Sequence, residues 1–265
     1  MASRPSHDPL PRPVVRFRPG GVLGRLTPLP PMWLEGRLAS EYVNLIRDPV
    51  YYGRGVPRGD GRPVLLIPGF LAGDQTLLTM QAWLRRMDYK PELSGISFNV
   101  RHSDVTVEAV LERLYVHHRR TKQKVAIVGH SRGGLLAKVV ADRHPAAVER
   151  VITLGSPLSN PYDVHPITMA GVRIAHALNA LRYAQGSSVE RAFLRELESP
   201  ARVPLVSVYS RSDGIVHWEA CLRPDAECLE VTGSHVGLGV NLEVYQLLAR
   251  ILPPAGGPEQ GNGGA

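Results

Sequence analysis

Ten consecutive residues, Val125-Ala126-Ile127-Val128-Gly129-His130-Ser131-Arg132-Gly133-Gly134, restrict the possible folds of this chain more than any other stretch. The first four are apolar and mostly β-branched, and they run into Gly-His-Ser-Arg-Gly. Small and apolar residues, Leu135 to Ala141, follow, with Lys138 the one charge. The pattern predicts a buried strand, a very tight turn and a helix. A sharp turn leaves little room around the Cα of Ser131, so the residues two positions away on either side must lack a Cβ. Gly129 and Gly133 meet that demand. Such a turn holds the Ser131 hydroxyl above the strand end. It also aims the N-terminus of the next helix at any negative charge that develops there.

The rest of the chain repeats the alternation. Val64-Leu65-Leu66-Ile67 reads as a buried strand that ends in Pro68-Gly69-Phe70-Leu71. Asp74 is placed to cap a helix running through Met87, Ile96–Val100 reads as a short strand, and Asp104 is placed to cap the helix after it. Further strands are expected at Val151–Leu154, Val203–Tyr209 and Cys228–Thr232, and a last helix at Asn241–Ile251. Strands alternating with helices predict an α/β fold: a mostly parallel sheet with helices on both faces. Between Pro157 and Val203 the alternation pauses, which predicts a small helical cap insertion over residues 158–202. Met32–Arg47 has amphipathic spacing and is expected to pack on the domain or edge its pocket. The expected organisation is a Pro/Arg-rich arm at 1–31, a domain at 32–252 and a Gly/Pro-rich tail at 253–265.

The net charge of +7 sits mainly in the arm, where Arg4, Arg12, Arg16, Arg18 and Arg25 face Asp8 alone. No basic stripe interleaved with aromatics and no finger or helix-turn-helix spacing is present, so a nucleic-acid partner is not expected. No signal-peptide pattern and no run of about 20 apolar residues occurs, which predicts a cytoplasmic protein without stable membrane insertion. Cys221 and Cys228 have neither zinc spacing nor paired histidines, so no metal site is expected. Their seven-residue separation leaves a local disulfide and two free thiols equally open.

A serine hydroxyl becomes a nucleophile when a base removes its proton, and that base needs an orienting acid. Two loops at predicted strand ends supply both in order. Asp213 lies in Ser210-Arg211-Ser212-Asp213-Gly214, and His235 lies in Gly233-Ser234-His235-Val236-Gly237. Other candidates are less well placed. His130 precedes the serine and reads as packing. His217 is too close to Asp213 in the chain and reads as a surface or cap contact. Asp225 reads as solvated, and Asp142 falls at the far end of its helix. An oxyanion hole needs two backbone N–H groups. Arg132, immediately after the serine, offers one. Phe70 offers the other, with Leu71 as the alternative and as a substrate contact.

Five blocks carry a resemblance over residues 62–252: Ile-Pro-Gly-Phe-Leu at 67–71, Gly-His-Ser-Arg-Gly-Gly at 129–134, Leu-Gly-Ser-Pro at 154–157, Tyr-Ser-Arg-Ser-Asp-Gly-Ile-Val at 209–216 and Gly-Ser-His-Val-Gly-Leu at 233–238. Together they resemble the α/β-hydrolase superfamily, in particular bacterial lipase- and carboxylesterase-like serine hydrolases. Pro68 stands where many lipases have histidine. The resemblance implies cleavage of acyl esters through an acyl-enzyme on Ser131, with no cofactor and with a small-molecule or lipid ester as substrate. An acyltransferase would use the same triad, and a non-catalytic binding protein of the same fold is a third reading.

Overall fold

The computed structural model describes residues 32–182 and 186–252; the expected arm at 1–31 and tail at 253–265 lie outside the described residues. Six strands form one parallel sheet: β1 (Pro63–Ile67), β2 (Lys90–Leu93), β3 (Val125–His130), β4 (Val148–Leu154), β5 (Leu205–Tyr209) and β6 (Glu227–Glu230). Their order is β2-β1-β3-β4-β5-β6, with every adjacent pair parallel. The helices are α1 (Leu38–Arg47), which follows a 3₁₀ turn at Met32–Arg37, then α2 (Leu78–Arg86), α3 (Ser103–Thr121), α4 (Arg132–Arg143), α5 (Pro166–Arg182), α6 (Gly186–Glu198) and α7 (Leu242–Ile251). Among the described residues, no helix is long and apolar enough to cross a membrane.

The two-residue period of a strand divides the core. Val64, Leu66, Ala126, Val128, Ile152 and Val206 face one layer, where α1, α2 and α7 contribute Leu45, Trp83, Leu84, Tyr245 and Leu248. Leu65, Ile67, Val125, Ile127, Val151 and Leu205 face the other, against Val107 and Leu114 of α3, Leu136 and Val140 of α4, and Phe193 and Leu197 of α6. Central strands therefore carry apolar side chains on both faces, as expected of a parallel sheet covered on both sides. Because all six strands run one way, the loops at their C-terminal ends gather along one edge of the sheet. That edge receives every candidate site residue.

Three local expectations are corrected. The edge strand is Lys90–Leu93, not Ile96–Val100. Pro91 argues against a strand, yet an edge strand tolerates proline because one side of its backbone needs no ladder partner. Residues 96–100 instead form a loop folded onto the end of β1. Asp74 does not cap α2 through its side chain; its carboxylate accepts from Ser94 Oγ and Gly95 N, both at 2.7 Å. Asp104 likewise makes no cap, and pairs with Arg143 at 2.9 Å.

The 157–203 excursion divides in two. Helix α6 belongs to the domain's own layer: Phe193 and Leu197 are 3% and 1% exposed. Its C-terminal carbonyls are held by buried cations, with Lys138 Nζ donating to Glu196 O and Ser199 O and Arg223 to Leu197 O. Cations at a helix C-terminus oppose its partial negative charge. Helix α5 instead lies over the strand ends. Its lead-in is pinned by a bridge between Val164 and Val216 and by His165 N donating to Ile215 O at 2.7 Å.

Candidate active site

The turn after β3 has the shape that the glycine spacing predicts. Ser131 sits at φ 53°, ψ −124°, a conformation that costs an L-residue energy and persists only where the surroundings impose it. The surroundings are backbone. A Cβ on Gly133 would lie 2.3 Å from Ile67 O, and one on Gly129 would lie 2.5 Å from Gly133 O. The close approach of α4 to β1 and β3 therefore forbids side chains at both positions. Ser131 N donates to Leu154 O at 2.8 Å, which fixes the turn against β4. Ser131 is half-buried at the N-terminus of α4.

Asp213 and His235, 22 residues apart in sequence, meet at this edge. His235 Nδ1 lies 2.6 Å from Asp213 Oδ2, and both residues are 4% exposed. The other carboxylate oxygen, Oδ1, accepts from Ile215 N and Val216 N at 2.8 and 2.7 Å. Both oxygens of the acid are thus engaged, and its orientation is fixed by backbone. A carboxylate opposite Nδ1 selects the tautomer with its proton there and leaves Nε2 to accept one. Burial opposes charge on His235, but the Asp213 carboxylate, with Glu35 behind it, outweighs burial and raises the imidazole pKa. Among the described residues the Ser131 hydroxyl forms no hydrogen bond; such contacts are commonly loose without substrate and tighten on binding.

His130 is a neighbour of the base and not its rival. The two imidazoles lie 5.0 Å apart, centre to centre. His130 Nε2 donates to the His235 carbonyl at 2.9 Å. Burial, helped by His235, pushes its pKa down to about 4. The remaining candidates serve elsewhere. His217 reaches Asp163 at 3.6 Å, a contact to the lead-in of α5. Asp142 pairs with Lys138 at 2.8 Å, and Asp225 pairs with Arg223 at 2.7 Å rather than standing solvated. Cys221 and Cys228 are both free thiols in this structure. No cluster of metal-ligating side chains occurs among the described residues.

The loop after β1 faces the elbow: a Cβ on Gly69 would stand 3.1 Å from Ser131 Cβ. In this loop the Leu71 amide is occupied, donating to Asn99 O at 3.3 Å, whereas no hydrogen bond of the Phe70 amide occurs among the described residues. Asn99, 1% exposed, organises the loop. Its Nδ2 donates to Pro68 O and its N to Ala72 O, both at 2.8 Å, and its Oδ1 accepts from Arg132 Nη1 at 2.7 Å. Arg132 therefore joins the elbow to the β1 loop through its side chain, a role that its position after the serine did not suggest. Beside Ser131 a cleft opens, lined by Phe70, Leu135, Val172, Phe193, Leu194 and Val216 among others, so it is mainly apolar. Leu71 is not part of that lining. It is 52% exposed, at φ 58°, on the rim facing Gly171 of α5.

Met32–Arg47 packs on the domain as its amphipathic spacing predicts, but the sequence did not single out its polar residues as partners of the site loops. Glu35 accepts from the backbone of Gly214, His235 and Val236, and Glu41 accepts from Ser234 N and Oγ. Arg37 donates to Ser212 Oγ at 3.0 Å. Acidic residues in an amphipathic helix read as a solvated face, and no local pattern marks them as partners of loops about 200 residues away.

Comparison with known proteins agrees with this architecture. Residues 87–216, slightly less than half of the chain, match the model of the PGAP1-like alpha/beta domain. A GPI inositol-deacylase of Candida albicans is 28% identical over 83 residues, which is 31% of this chain and 21% of that protein. The chain thus spans about a fifth of that curated relative. Among solved structures, the mature lipase BlEst2 of Bacillus licheniformis superposes with a TM-score of 0.56 at 16% identity, covering 76% of this chain and 95% of that one. A monoacylglycerol lipase of Paleococcus ferrophilus gives 0.52 at 15% identity, covering 72% and 95%. The parallel six-stranded sheet, the strained serine turn and these likenesses give the chain an α/β-hydrolase fold, in which residues 87–216 match the PGAP1-like alpha/beta domain.

Proposed function

We propose that the chain is a serine hydrolase that cleaves acyl esters through an acyl-enzyme on Ser131. The observation that carries this reading is the buried 2.6 Å contact between Asp213 and His235, at the same sheet edge as the strained Ser131 turn. His235 Nε2 takes the Ser131 proton as Oγ attacks the ester carbonyl, and the Phe70 and Arg132 amides receive the oxyanion. His235 then returns the proton to the departing alcohol, and a water, deprotonated by the same imidazole, releases the acid. Asp213 keeps the imidazole in the working tautomer and stabilises its cation. The occupied Leu71 amide favours Phe70 as the second donor.

The apolar cleft between the elbow and helices α5 and α6 favours an apolar acyl group, with Leu71 on the rim. The similarity to a protein named for deacylating an inositol agrees with an O-acyl ester as substrate. No metal or organic cofactor enters this chemistry. A panel of p-nitrophenyl esters of increasing chain length tests the reading. Turnover of short to medium chains that vanishes in Ser131→Ala is expected. Absence of turnover at every length in folded protein, or equal turnover in Ser131→Ala, contradicts it.

A further inference from the structure

The Asp213 and His235 loops are braced from outside the sheet. The turn at Met32–Arg37 brings in Glu35, whose two oxygens accept three backbone N–H groups. Oε1 takes Gly214 N and His235 N, each at 2.9 Å, and Oε2 takes Val236 N at 2.8 Å. Gly214 directly follows the acid, and His235 is the base itself. One carboxylate therefore spans both loops at the residues where their relative position decides the Asp213–His235 distance. Glu41, one helical stretch later, holds Ser234 N and Oγ at 2.7 and 2.8 Å. Arg37 reaches Ser212 on the acid loop and lies 4.0 Å from Glu41. These contacts join segments 175 to 201 residues apart in the chain.

We propose that Glu35 is a positioning residue: its carboxylate ties the acid and base loops into one register and sets a second negative charge behind the His235 imidazole. The inference rests on the assignment of Asp213 and His235 as acid and base. A carboxylate accepting three N–H groups makes charge-assisted bonds, about twice as strong as neutral ones. Strand ends alone leave such loops free to shift, and a displacement of about 1 Å at a reacting group costs on the order of a hundredfold in rate. The charge acts separately. The groups facing His235 are Asp213 on the loop after β5, His130 in the elbow and Glu35 from the N-terminal turn. His130 is neutral above about pH 4, so Glu35 and Asp213 are the anions that hold the imidazolium. Removing the Glu35 charge therefore lowers the pH at which His235 loses its proton.

Glu35→Gln and Glu35→Ala, made in the full chain, test this. In Glu35→Gln the side chain keeps its shape but loses the charge and the acceptor for Val236. The His235 titration, followed by NMR of its ring protons, is expected to move to lower pH by on the order of one unit. The acid limb of the kcat/KM profile should move in the same direction. Glu35→Ala should in addition lose on the order of tenfold to a hundredfold in kcat. Thermal unfolding of each variant separates a fold defect from these effects. An unshifted His235 titration in folded Glu35→Gln overturns the proposal, as does a fall in Tm with no titration change, which would make Glu35 a structural brace only. The NMR titration needs no turnover. If wild-type Ser131 reacts with no ester, the functional reading fails while the Glu35 proposal is still decided.

Discussion

Replacing Asp213 with asparagine separates the orientation of the base from the presence of a side chain. The site predicts how. Oδ1 of the acid accepts from Ile215 N and Val216 N, and an asparagine oxygen at that place keeps both bonds. The amide nitrogen then takes the place of Oδ2, 2.6 Å from His235 Nδ1. Two N–H donors would face each other there. The imidazole escapes by moving its proton to Nε2, so that Nδ1 accepts from the amide. An Nε2 that carries a proton cannot take one from Ser131. The geometry survives while the base is lost. An acid-to-amide change of this kind in a serine triad costs about 10⁴-fold in kcat, which is about 5 kcal/mol of transition-state stabilisation. The fold should lose little, since both backbone bonds remain, the third is kept with donor and acceptor exchanged, and a buried charge is removed. Steady-state hydrolysis of the best chromogenic ester, with thermal unfolding of the same samples, measures both quantities. Folded Asp213→Asn that retains more than about a tenth of wild-type kcat would refute the tautomer argument.

Asn99→Ala should remove the two side-chain links that join the β1 loop to Arg132, costing about 1–3 kcal/mol of stability for the buried partners left unsatisfied; kcat should fall more than KM rises, as steady-state kinetics would show. The depressed pKa of His130 predicts a stability that depends on pH. Its folded value of about 4 lies below the usual 6.5, so the unfolded chain binds the extra proton first, and this contribution is lost as pH falls from 6.5 towards 4. His235 carries the opposite sign: its raised pKa gives stability present below 6.5 and lost as pH rises above it. His130→Gln keeps a donor for the His235 carbonyl, and its Tm should fall less between pH 6.5 and 4.5 than that of the wild type.

The sequence made the centre of the fold legible because local patterns encode it. Val125–Val128 could be read as a buried strand from its apolar run. Gly129 and Gly133 could be read as space requirements, and backbone within 2.5 Å of their missing Cβ positions bears this out. The parallel α/β sheet followed from alternation, and the Asp213–His235 pair from order along the chain. Other parts were illegible for physical reasons. Pro91 hid an edge strand that needs fewer backbone donors than a central one. Helix α6 read as part of a cap because its apolar face does not reveal whether it packs on α5 or on α3 and α4. Asn99 and Arg132 act through a hydrogen-bond network with no sequence period. Glu35 depends on contacts that span most of the chain, and its neighbours give no hint of them.

The most direct test of the account is the site of covalent reaction. Wild-type protein treated with a fluorophosphonate should gain one adduct by intact-mass analysis, and peptide mapping should place it on Ser131. The rate of reaction should rise with pH as His235 loses its proton, and Ser131→Ala should gain no adduct. Adduct formation at another residue, or none on folded wild-type protein, would contradict the assignment of Ser131 as the nucleophile.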